Sequence, residues 1–320
     1  LHIKPDGVVN LHSYWRLIDH IEDEPSLDDI DNTVDALDRC IKASVDAHLV
    51  ADVPINSFLS GGLDSSLIVA MARCELDRLD CYTIKFTEDA KKHEAMPDDA
   101  FYAGEVAKAL DVKLNTIEVK PDIAELLPIM VHHLDEPIGD SAAINTFLIC
   151  DAARQNGVKV LLSGMGADEL FGGYRRHLAN EIASTYRAMP SFIRRSIVSP
   201  IVNRLPVASS KGGFRLARWA RRFVSFADLP DADAYLRSYS YFNSAELAAL
   251  AGPESIPIVS SLVESHHEIF NSLSSRSLLD RMCYTDTQMF MTSLNLTYTD
   301  RASMAASTEV RVPYIDKEVV

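Results

Sequence analysis

The sequence is poor in the features that mark several large classes of protein. Its five cysteines are scattered over 320 residues with no Cys-x-x-Cys pair, which fits a reducing compartment better than a disulfide scaffold or a zinc site. It has no run of about 18 apolar residues, the length that a membrane-spanning helix needs. Basic residues are few, since 31 Lys and Arg face 46 Asp and Glu for a net charge of −15. We therefore expect a cytoplasmic protein with no nucleic-acid or membrane partner.

Metal-binding and secretory signatures are missing as well. The histidine pairs at 132–133 and 266–267 stand in no HExxH or similar ligand spacing, which favours packed or surface histidines over a transition-metal site. No charged and then apolar leader opens the chain. The chain begins with Leu1 instead of Met and ends within a helical pattern at Val320, so we interpret it as a fragment of a longer protein.

What the sequence does contain is an alternation of short apolar runs and helical patterns. An amphipathic helix begins at Ser26. The apolar runs predict four strands, at 53–59, 82–86, 113–119 and 158–162. Helical patterns lie between them at 65–72, 100–110, 122–133 and 143–155, and they dominate after residue 174. This order predicts an α/β fold with a parallel sheet, helices on both of its faces, and a helical C-terminal half.

The strongest local motif follows the first predicted strand. The segment 60–66 reads Ser-Gly-Gly-Leu-Asp-Ser-Ser and leads directly into a helix. Glycines let the backbone turn tightly and approach an anion, Ser65 and Ser66 add hydroxyl donors, and the helix start supplies free N–H groups. The lysine of a Walker loop is absent, and so is the GxGxxG pattern of dinucleotide sites. We interpret the segment as a phosphate cradle, in preference to a plain glycine-rich turn.

An acid within this cradle predicts a cation. The Asp64 carboxylate would repel phosphates unless Mg²⁺ lies between them. Such a site calls for a second carboxylate at another strand end. The segment 163–174, Ser-Gly-Met-Gly-Ala-Asp-Glu-Leu-Phe-Gly-Gly-Tyr, follows the predicted strand 158–162 and supplies Asp168. Ligands of parallel sheets bind beyond the carboxyl ends of the strands, so we expect these two carboxylates to meet there.

Three blocks together resemble a known family. They are the cradle at 60–66, the segment 163–174, and Asp-Arg-Ala-Ser-Met at 300–304 running on to Glu-Val-Arg-Val-Pro-Tyr-Ile-Asp at 309–316. The sequence is similar to the synthetase domain of glutamine-dependent asparagine synthetases, a branch of the ATP pyrophosphatases. Asp135-Glu136-Pro137 with Asp140-Ser141 resembles the family's substrate-side segment.

The resemblance implies a fold, a reaction and a domain plan. The fold would be adenine nucleotide alpha-hydrolase-like, with ATP and Mg²⁺ as cofactors. A substrate carboxylate, aspartate or an analogue, would attack the α-phosphate of ATP, and ammonia from glutamine would then displace AMP to give an amide. Residues 1–20 would be the tail of a missing glutaminase domain and its linker. Residues 21–320 would be the ATP-binding domain, truncated before its C-terminal tail, and a homodimer is left open.

The resemblance also implies individual roles. The residues expected to line the adenosine site are Leu59, Ile84, Ser163 and Gly164. Those expected to hold pyrophosphate are Ser60, Gly61, Gly62, Asp64, Ser65 and Ser66. Asp64 and Asp168 would bind Mg²⁺. Arg301 would face the polyphosphate or, alternatively, form a surface or interface salt bridge, whereas Arg311 is expected to be structural. Glu169 is expected either to cap a helix or to react.

Three departures from the family pattern bear on the substrate and on activity. Asparagine synthetases usually have Glu or Asp where this chain has Met165, and a thioether can neither act as a base nor pair with an ammonium group. The β-lactam-forming relatives carry tyrosine there, so the position varies with the second half-reaction. The family's catalytic lysine lies in a tail beyond the 309–316 block, and the glutaminase domain with its cysteine nucleophile is missing. The fragment is therefore expected to bind nucleotide better than it turns over.

Other functions stay open at this point. One alternative is a related adenylating synthetase with another substrate, which closes β-lactam-type rings or amidates sugars or peptides. A second is a tRNA-modifying relative, which the charge of −15 and the lack of Cys-x-x-Cys oppose. A third is a non-catalytic nucleotide-binding homologue that acts as a regulator, favoured only by Met165.

Overall fold

A five-stranded parallel sheet forms the centre of the molecule. The computed structural model describes residues 1–21, 30–86, 99–119, 123–136, 138–206 and 215–320. A short antiparallel hairpin pairs β1 with β2 near the N-terminus, and the order in the parallel sheet is β5-β4-β3-β6-β7. The strands are β1 His2–Ile3, β2 Val9–Asn10, β3 Ile55–Phe58, β4 Asp80–Phe86, β5 Lys113–Val119, β6 Val160–Leu162 and β7 Glu309–Arg311.

Helices account for most of the rest of the described chain. Those of the sheet-containing half are α1 Ile30–His48, α2 Leu63–Glu75, α3 Asp99–Ala109, α4 Ile123–Leu134, α5 Ala142–Gln155 and α6 Ala167–Phe171. Those that follow are α7 Arg175–Arg187, α8 Ser191–Ile193, α9 Ser199–Arg204, α10 Arg215–Phe226, α11 Asp231–Tyr239, α12 Ser244–Ala251, α13 Ile256–Ser272, α14 Leu278–Thr285 and α15 Leu296–Ala305. A π-helical segment, Asp286–Asn295, joins α14 to α15, and Arg194–Val198 is also π-helical.

The helices cover both faces of the sheet because the strand side chains alternate. Val160 and Leu162 of β6 pack into a cluster with residues of α1, α2 and α3. Leu161, between them, packs on the opposite face against residues of α5. Alternation of this kind buries both faces of a parallel sheet and requires helices on each side. The fold is the expected adenine nucleotide alpha-hydrolase-like one. None of the described helices is both long and apolar enough to cross a membrane.

The strand order reverses between β3 and β6, which creates a crevice. From β3 the chain adds β4 and then β5 on one side of the sheet, and afterwards adds β6 and β7 on the other side. All these neighbouring strands are parallel. The connections that leave β3 and β6 therefore diverge at one end of the sheet, where α/β proteins bind their ligands. The two glycine-bearing segments predicted from the sequence follow β3 and β6.

The four predicted strands correspond to β3, β4, β5 and β6, whereas the short strands β1, β2 and β7 were not predicted. The short edge strand β7, Glu309–Arg311, lies in the half of the chain where only helices were expected. The strand has a charged residue at each end, and none of its three residues is fully buried. It therefore lacks the apolar run by which the four predicted strands were found. The predicted helix start at Ser26 and the residues Pro137 and 87–98 lie outside the described part of the chain.

Candidate active site

The first glycine turn, residues 60–62, connects β3 to α2 and leaves the start of α2 open. Gly61 has a φ of +77°, and a Cβ there would lie 2.5 Å from backbone atoms of α3, so only glycine fits. Gly62 is the N-cap residue of α2, and because glycine has no side chain it forms no capping bond to the first N–H groups of the helix. The open N–H groups and the positive end of the helix dipole favour an anion.

The serine hydroxyls of the first turn bond to the turn itself. The Ser65 Oγ accepts a bond from the backbone N–H of Ser60 at 3.2 Å and lies 3.0 Å from the Ser60 Oγ. The Ser66 Oγ donates to the carbonyl of Gly62 at 2.6 Å. Ser65 is buried and Ser66 is half-buried. These hydroxyls are donors that can turn toward a phosphate without any movement of the backbone.

The second glycine turn, residues 163–166, connects β6 to α6 and touches the first. A Cβ on Gly164 would lie 2.6 Å from the backbone nitrogen of Ser65 and 2.9 Å from the carbonyl carbon of Asp64. Gly166 has a φ of +97° and precedes α6. The close approach at Gly164 brings the two turns, and with them Asp64 and Asp168, to the same end of the sheet.

Asp64 and Asp168 form a half-buried acidic pair. Burial raises the pKa of Asp64, and the negative charges of Asp168 and Glu169 raise it further. Burial also raises the pKa of Asp168, whereas the nearby His177 and Arg176 lower it. Two half-buried carboxylates, each with a raised pKa, are a donor set suited to a hard cation. Among the described residues, no group of three or more His, Cys, Asp and Glu is close enough to hold a metal ion, so phosphate oxygens would have to complete a Mg²⁺ site.

A cavity of about 220 Å³ opens beside the two turns. Four of the residues predicted to bind the nucleotide line it, namely Leu59, Ser60, Ile84 and Ser163. Met165 lines it as well. The cavity thus combines apolar walls with hydroxyl groups at the mouth of the crevice, which is the arrangement expected of a small-molecule site. Lining residues that the sequence did not point to are Phe58, Tyr82, Thr83, Asp99, Ala142, Asn145, Thr146, Ile149 and Thr299.

Met165 presents an apolar wall at the position where an acid is usual in the resembled family. Its sulfur accepts a hydrogen bond from the Thr299 hydroxyl at 3.2 Å. The side chain packs with an apolar cluster that includes Ile144, Tyr298 and Leu294. A charged side chain at 165 would have to leave this apolar environment or be paired within it.

The two arginines of the third block lie away from the cavity lining. The Arg301 guanidinium donates to the Asp135 carboxylate and, at 3.0 Å, to the carbonyl of Leu134. This is the salt bridge that was the alternative to a polyphosphate contact. Arg311 donates to the carbonyls of His48 and Val50 at 2.6 and 2.9 Å, which ties the end of α1 to β7 and is the structural role expected for it.

Tyr314 and Ile315 connect the third block to both glycine turns. The Tyr314 hydroxyl donates to the carbonyl of Asp64 at 3.3 Å. Burial and the Asp64 charge raise the pKa of Tyr314 to about 12, so the hydroxyl keeps its proton at neutral pH. Ile315 packs on Gly166, where a Cβ would lie 2.7 Å from the isoleucine methyl. Both residues belong to the third sequence block, but no individual role was predicted for them.

A network of hydrogen bonds to buried carboxylates surrounds the helix that follows the second turn. Most of its members were not predicted from the sequence. Glu169 is 1% exposed and accepts bonds from the Tyr174 hydroxyl at 2.5 Å and from the Asn295 amide. Burial raises the pKa of Glu169. Glu169 does not line the cavity beside the turns. Its partners come from two segments 121 residues apart in sequence, a separation that hides them from local pattern analysis.

A second carboxylate, Asp286, lies in the same buried region. Its oxygens accept bonds from Arg176 at 2.7 Å, His177 at 2.9 Å and the Tyr235 hydroxyl at 2.5 Å. Both Asp286 and Asn295 lie on the π-helical segment. Through Asn295 this segment bonds to Glu169 of α6, and through Asp286 it bonds to α7. It therefore helps to fix the helix that carries Asp168.

Removing the Tyr314 hydroxyl should weaken nucleotide binding slightly and selectively. In Tyr314→Phe the ring stays packed against Phe171, but the bond to the Asp64 carbonyl is lost, which costs about 1 kcal/mol. We expect Mg-ATP affinity, measured by calorimetry, to fall about fivefold. Tyr186→Phe, in the helical half, is the matched control and should bind as the wild type does. Equal affinities in all three proteins would contradict a positioning role for Tyr314.

The fold and the site together define a class of protein. A parallel α/β sheet whose strand order reverses between two glycine turns, with an acid in the first turn of the helix after each and a partly apolar cavity beside them, is a nucleotide-binding domain of the ATP pyrophosphatase type. The asparagine synthase family model matches residues 36–320, and the chain belongs to that family.

Curated relatives agree with the family assignment. The chain is 29% identical over 318 residues to asparagine synthetase [glutamine-hydrolyzing] 1 of Bacillus subtilis, covering 99% of this chain and 47% of the relative. It is 30% identical over 210 residues to putative asparagine synthetase [glutamine-hydrolyzing] 2 of Methanocaldococcus jannaschii, covering 64% and 37%. It is 24% identical over 308 residues to amidase chyE of Penicillium rubens, covering 85% and 43%. The chain thus spans about half the length or less of these relatives.

Proposed function

We propose that this protein is an ATP-dependent ligase that adenylates a substrate carboxylate and then transfers ammonia to it, with release of AMP and pyrophosphate. The observation that carries the proposal is the contact between the two glycine turns at Gly164. It supports a joint role for Asp64 and Asp168 next to the cavity that Ser60 and Ser163 line. Membership of the asparagine synthase family supports ATP as the nucleotide. Relatives named glutamine-hydrolysing asparagine synthetases support amide formation with glutamine as the source of ammonia.

Each part of the site would have a separate task. Leu59, Ile84, Ser163 and Gly164 would hold the adenosine in the cavity. Ser60, Gly61, Gly62, Ser65 and Ser66 would hold the phosphates at the start of α2. Asp64 and Asp168 would bind Mg²⁺, which would neutralise charge on the phosphoryl oxygens. Positioning and electrostatic stabilisation would then supply most of the catalysis. Arg301 would reach the polyphosphate only by leaving Asp135.

The proposal also covers the domain organisation, the source of ammonia and the location of the protein. Residues 1–20 would be the end of a glutaminase domain with its linker, and residues 21–320 would form the ATP-binding domain. Ammonia would reach the acyl-adenylate from the glutaminase domain. The length of the relatives, of which the chain covers 47% in the Bacillus case, supports this plan. The protein would act in the cytoplasm.

We further propose that the acceptor carboxylate is not aspartate. Met165 places a thioether and an apolar cluster at the cavity wall, and neither can pair with the ammonium group of an amino acid. One similar protein is named an amidase and not an asparagine synthetase. The expected substrate is a carboxylic acid that presents an apolar group, not an ammonium group, to position 165.

Pyrophosphate release by the complete protein tests both proposals. With Mg-ATP and a panel of carboxylic acids, we expect the wild type to respond to acids without an α-ammonium group and weakly to aspartate. Met165→Glu should raise the rate with aspartate about tenfold, because a paired charge gains about 1.5–3 kcal/mol. Met165→Gln, which is equally long and polar but uncharged, is the control and should not gain.

The outcomes separate the alternatives. Asparagine formation by the wild type as fast as by Met165→Glu would overturn the substrate proposal and leave the ligase proposal intact. Binding of ATP without pyrophosphate release for any carboxylate would overturn the ligase proposal and favour a non-catalytic nucleotide-binding regulator.

A further inference from the structure

A second cavity, remote from the glycine turns, lies in the helical half. Its volume is about 570 Å³, and α11, α12, α13 and the π-helical segment form its walls. It shares no lining residue with the cavity beside the turns. Its apolar lining residues include Leu236, Phe242, Leu247, Val259, Leu262, Val263, Met289 and Phe290. Its size lies within the range of cavities that hold a small organic ligand, about 300–1,000 Å³.

Two polar side chains in the wall of this cavity, His266 and Tyr239, are already paired. The Nε2 of His266 lies 3.0 Å from the carbonyl oxygen of Ala232, so this nitrogen carries the proton. The Nδ1 of His266 then accepts from the Tyr239 hydroxyl at 3.0 Å. Because each of these atoms has a partner, the interior offers a ligand mainly apolar contact.

Arg237 supplies positive charge in the cavity wall, and Arg222 lies next to Arg237 without lining the cavity. Arg237 lines it and donates to the carbonyl of Ser240 at 3.2 Å. Arg222 donates to the same carbonyl at 2.8 Å and to the carbonyls of residues 237 and 238. Burial and then the charge of Arg237 lower the pKa of Arg222.

No carboxylate neutralises this arginine pair within the described part of the chain. The nearest acid along α11, Asp233, also lines the cavity, but its carboxylate bonds to His267 at 2.9 Å. Two cations held only by backbone carbonyls repel each other, and a bound anion would relieve that repulsion.

We propose that this cavity binds an amphipathic anion, a carboxylate with an unbranched alkyl chain, whose chain fills the apolar interior and whose head pairs with Arg237. The apolar walls exclude a ligand that is charged throughout, and the arginine pair disfavours a cationic head. The site is independent of the proposed ligase chemistry, since it uses none of the residues at the glycine turns.

Calorimetric titration with decanoate, decan-1-ol and decylammonium tests the proposal. These three probes share the chain length and differ in the charge of the head. We expect decanoate to bind most tightly and decylammonium most weakly. Arg237→Gln should weaken decanoate about tenfold or more, as expected for the loss of a charge-assisted bond, and should leave decan-1-ol unchanged. Val263→Phe, which fills the cavity, should weaken both.

Arg218→Gln is the matched control, because Arg218 is exposed on α10, does not line the cavity and loses the same charge. It should bind all three probes as the wild type does. Equal affinity for decanoate and decylammonium, or equal losses from Arg237→Gln and Arg218→Gln, would overturn the anion site. If none of the three probes binds, the cavity is not a ligand site. Self-association of the protein that Val263→Phe abolishes would also overturn the proposal, since a second copy would then be the occupant.

Discussion

Replacing Asp64 by Asn is expected to lower Mg-ATP affinity at least about 100-fold. A direct carboxylate ligand should matter at least as much as groups that only orient metal ligands, and loss of such groups costs about 10–100-fold. The amide keeps the size of the side chain but removes the charge that would hold Mg²⁺ between the turn and the phosphates. Titration calorimetry with ATP in the presence and absence of Mg²⁺ measures the effect. The affinities with and without Mg²⁺ should differ less in the variant, because one of the two proposed Mg²⁺ ligands is lost and free ATP no longer meets the Asp64 carboxylate.

The same substitution should not destabilise the protein without ligand. The pKa of Asp64 is raised in the folded state, so the folded protein holds this proton more tightly than the unfolded chain does. The ionised carboxylate therefore opposes folding once the pH exceeds the pKa that Asp64 has in the unfolded chain. At pH 7 the neutral amide removes that opposition, and the unfolding temperature of Asp64→Asn should equal or exceed that of the wild type.

Asp52→Asn is the control for the loss of one acid. Asp52 is exposed and precedes β3, at the opposite end of the strand from the first turn. It should leave both Mg-ATP affinity and unfolding temperature unchanged. An Asp64→Asn protein that binds Mg-ATP as well as the Asp52→Asn protein would show that Asp64 does not hold the cation.

The elements that local sequence patterns can specify were predicted well. The turn after β3 was predicted because its glycines, its acid and its serines are consecutive and follow an apolar run. The proximity of Asp64 and Asp168 follows from a rule about strand ends, without any knowledge of side-chain contacts. Strand β7 escaped detection because it is short, charged and partly exposed, and its place in the sheet comes from pairing with β6.

The parts that were not predicted depend on contacts between distant segments. Glu169 could not be assigned from its position in α6, because Tyr174 and Asn295 determine its environment. The pairing of Arg301 with Asp135 joins residues 166 positions apart, and a polyphosphate contact and a salt bridge look the same in the sequence. The arginine pair near the second cavity depends on the shared carbonyl of Ser240, for which the sequence carries no signal.

Gly164→Ala is expected to abolish tight Mg-ATP binding with only a moderate loss of stability. The added methyl would lie 2.6 Å from the Ser65 nitrogen and 2.9 Å from two further backbone atoms, so the turns must separate. Gly164 is not among the glycines with positive φ, and alanine can therefore adopt its backbone conformation. The effect of Gly164→Ala then comes only from the steric contact between the added methyl group and the first turn. Overpacking of this kind costs about 1–3 kcal/mol, and we expect Mg-ATP affinity to fall at least about tenfold because Asp64 and Asp168 move apart.

Gly104→Ala provides the comparison, since a Cβ on Gly104 would meet nothing within 4 Å. It lies in α3 and should be slightly more stable than the wild type, because alanine favours a helix over glycine by about 0.8–1.0 kcal/mol. Thermal unfolding and Mg-ATP calorimetry on both variants separate stability from binding. If Gly164→Ala unfolds at a lower temperature but binds Mg-ATP as tightly as Gly104→Ala, the contact between the turns serves the fold and not the site. A loss of affinity in Gly164→Ala at a temperature where it is fully folded ties nucleotide binding to that single close approach.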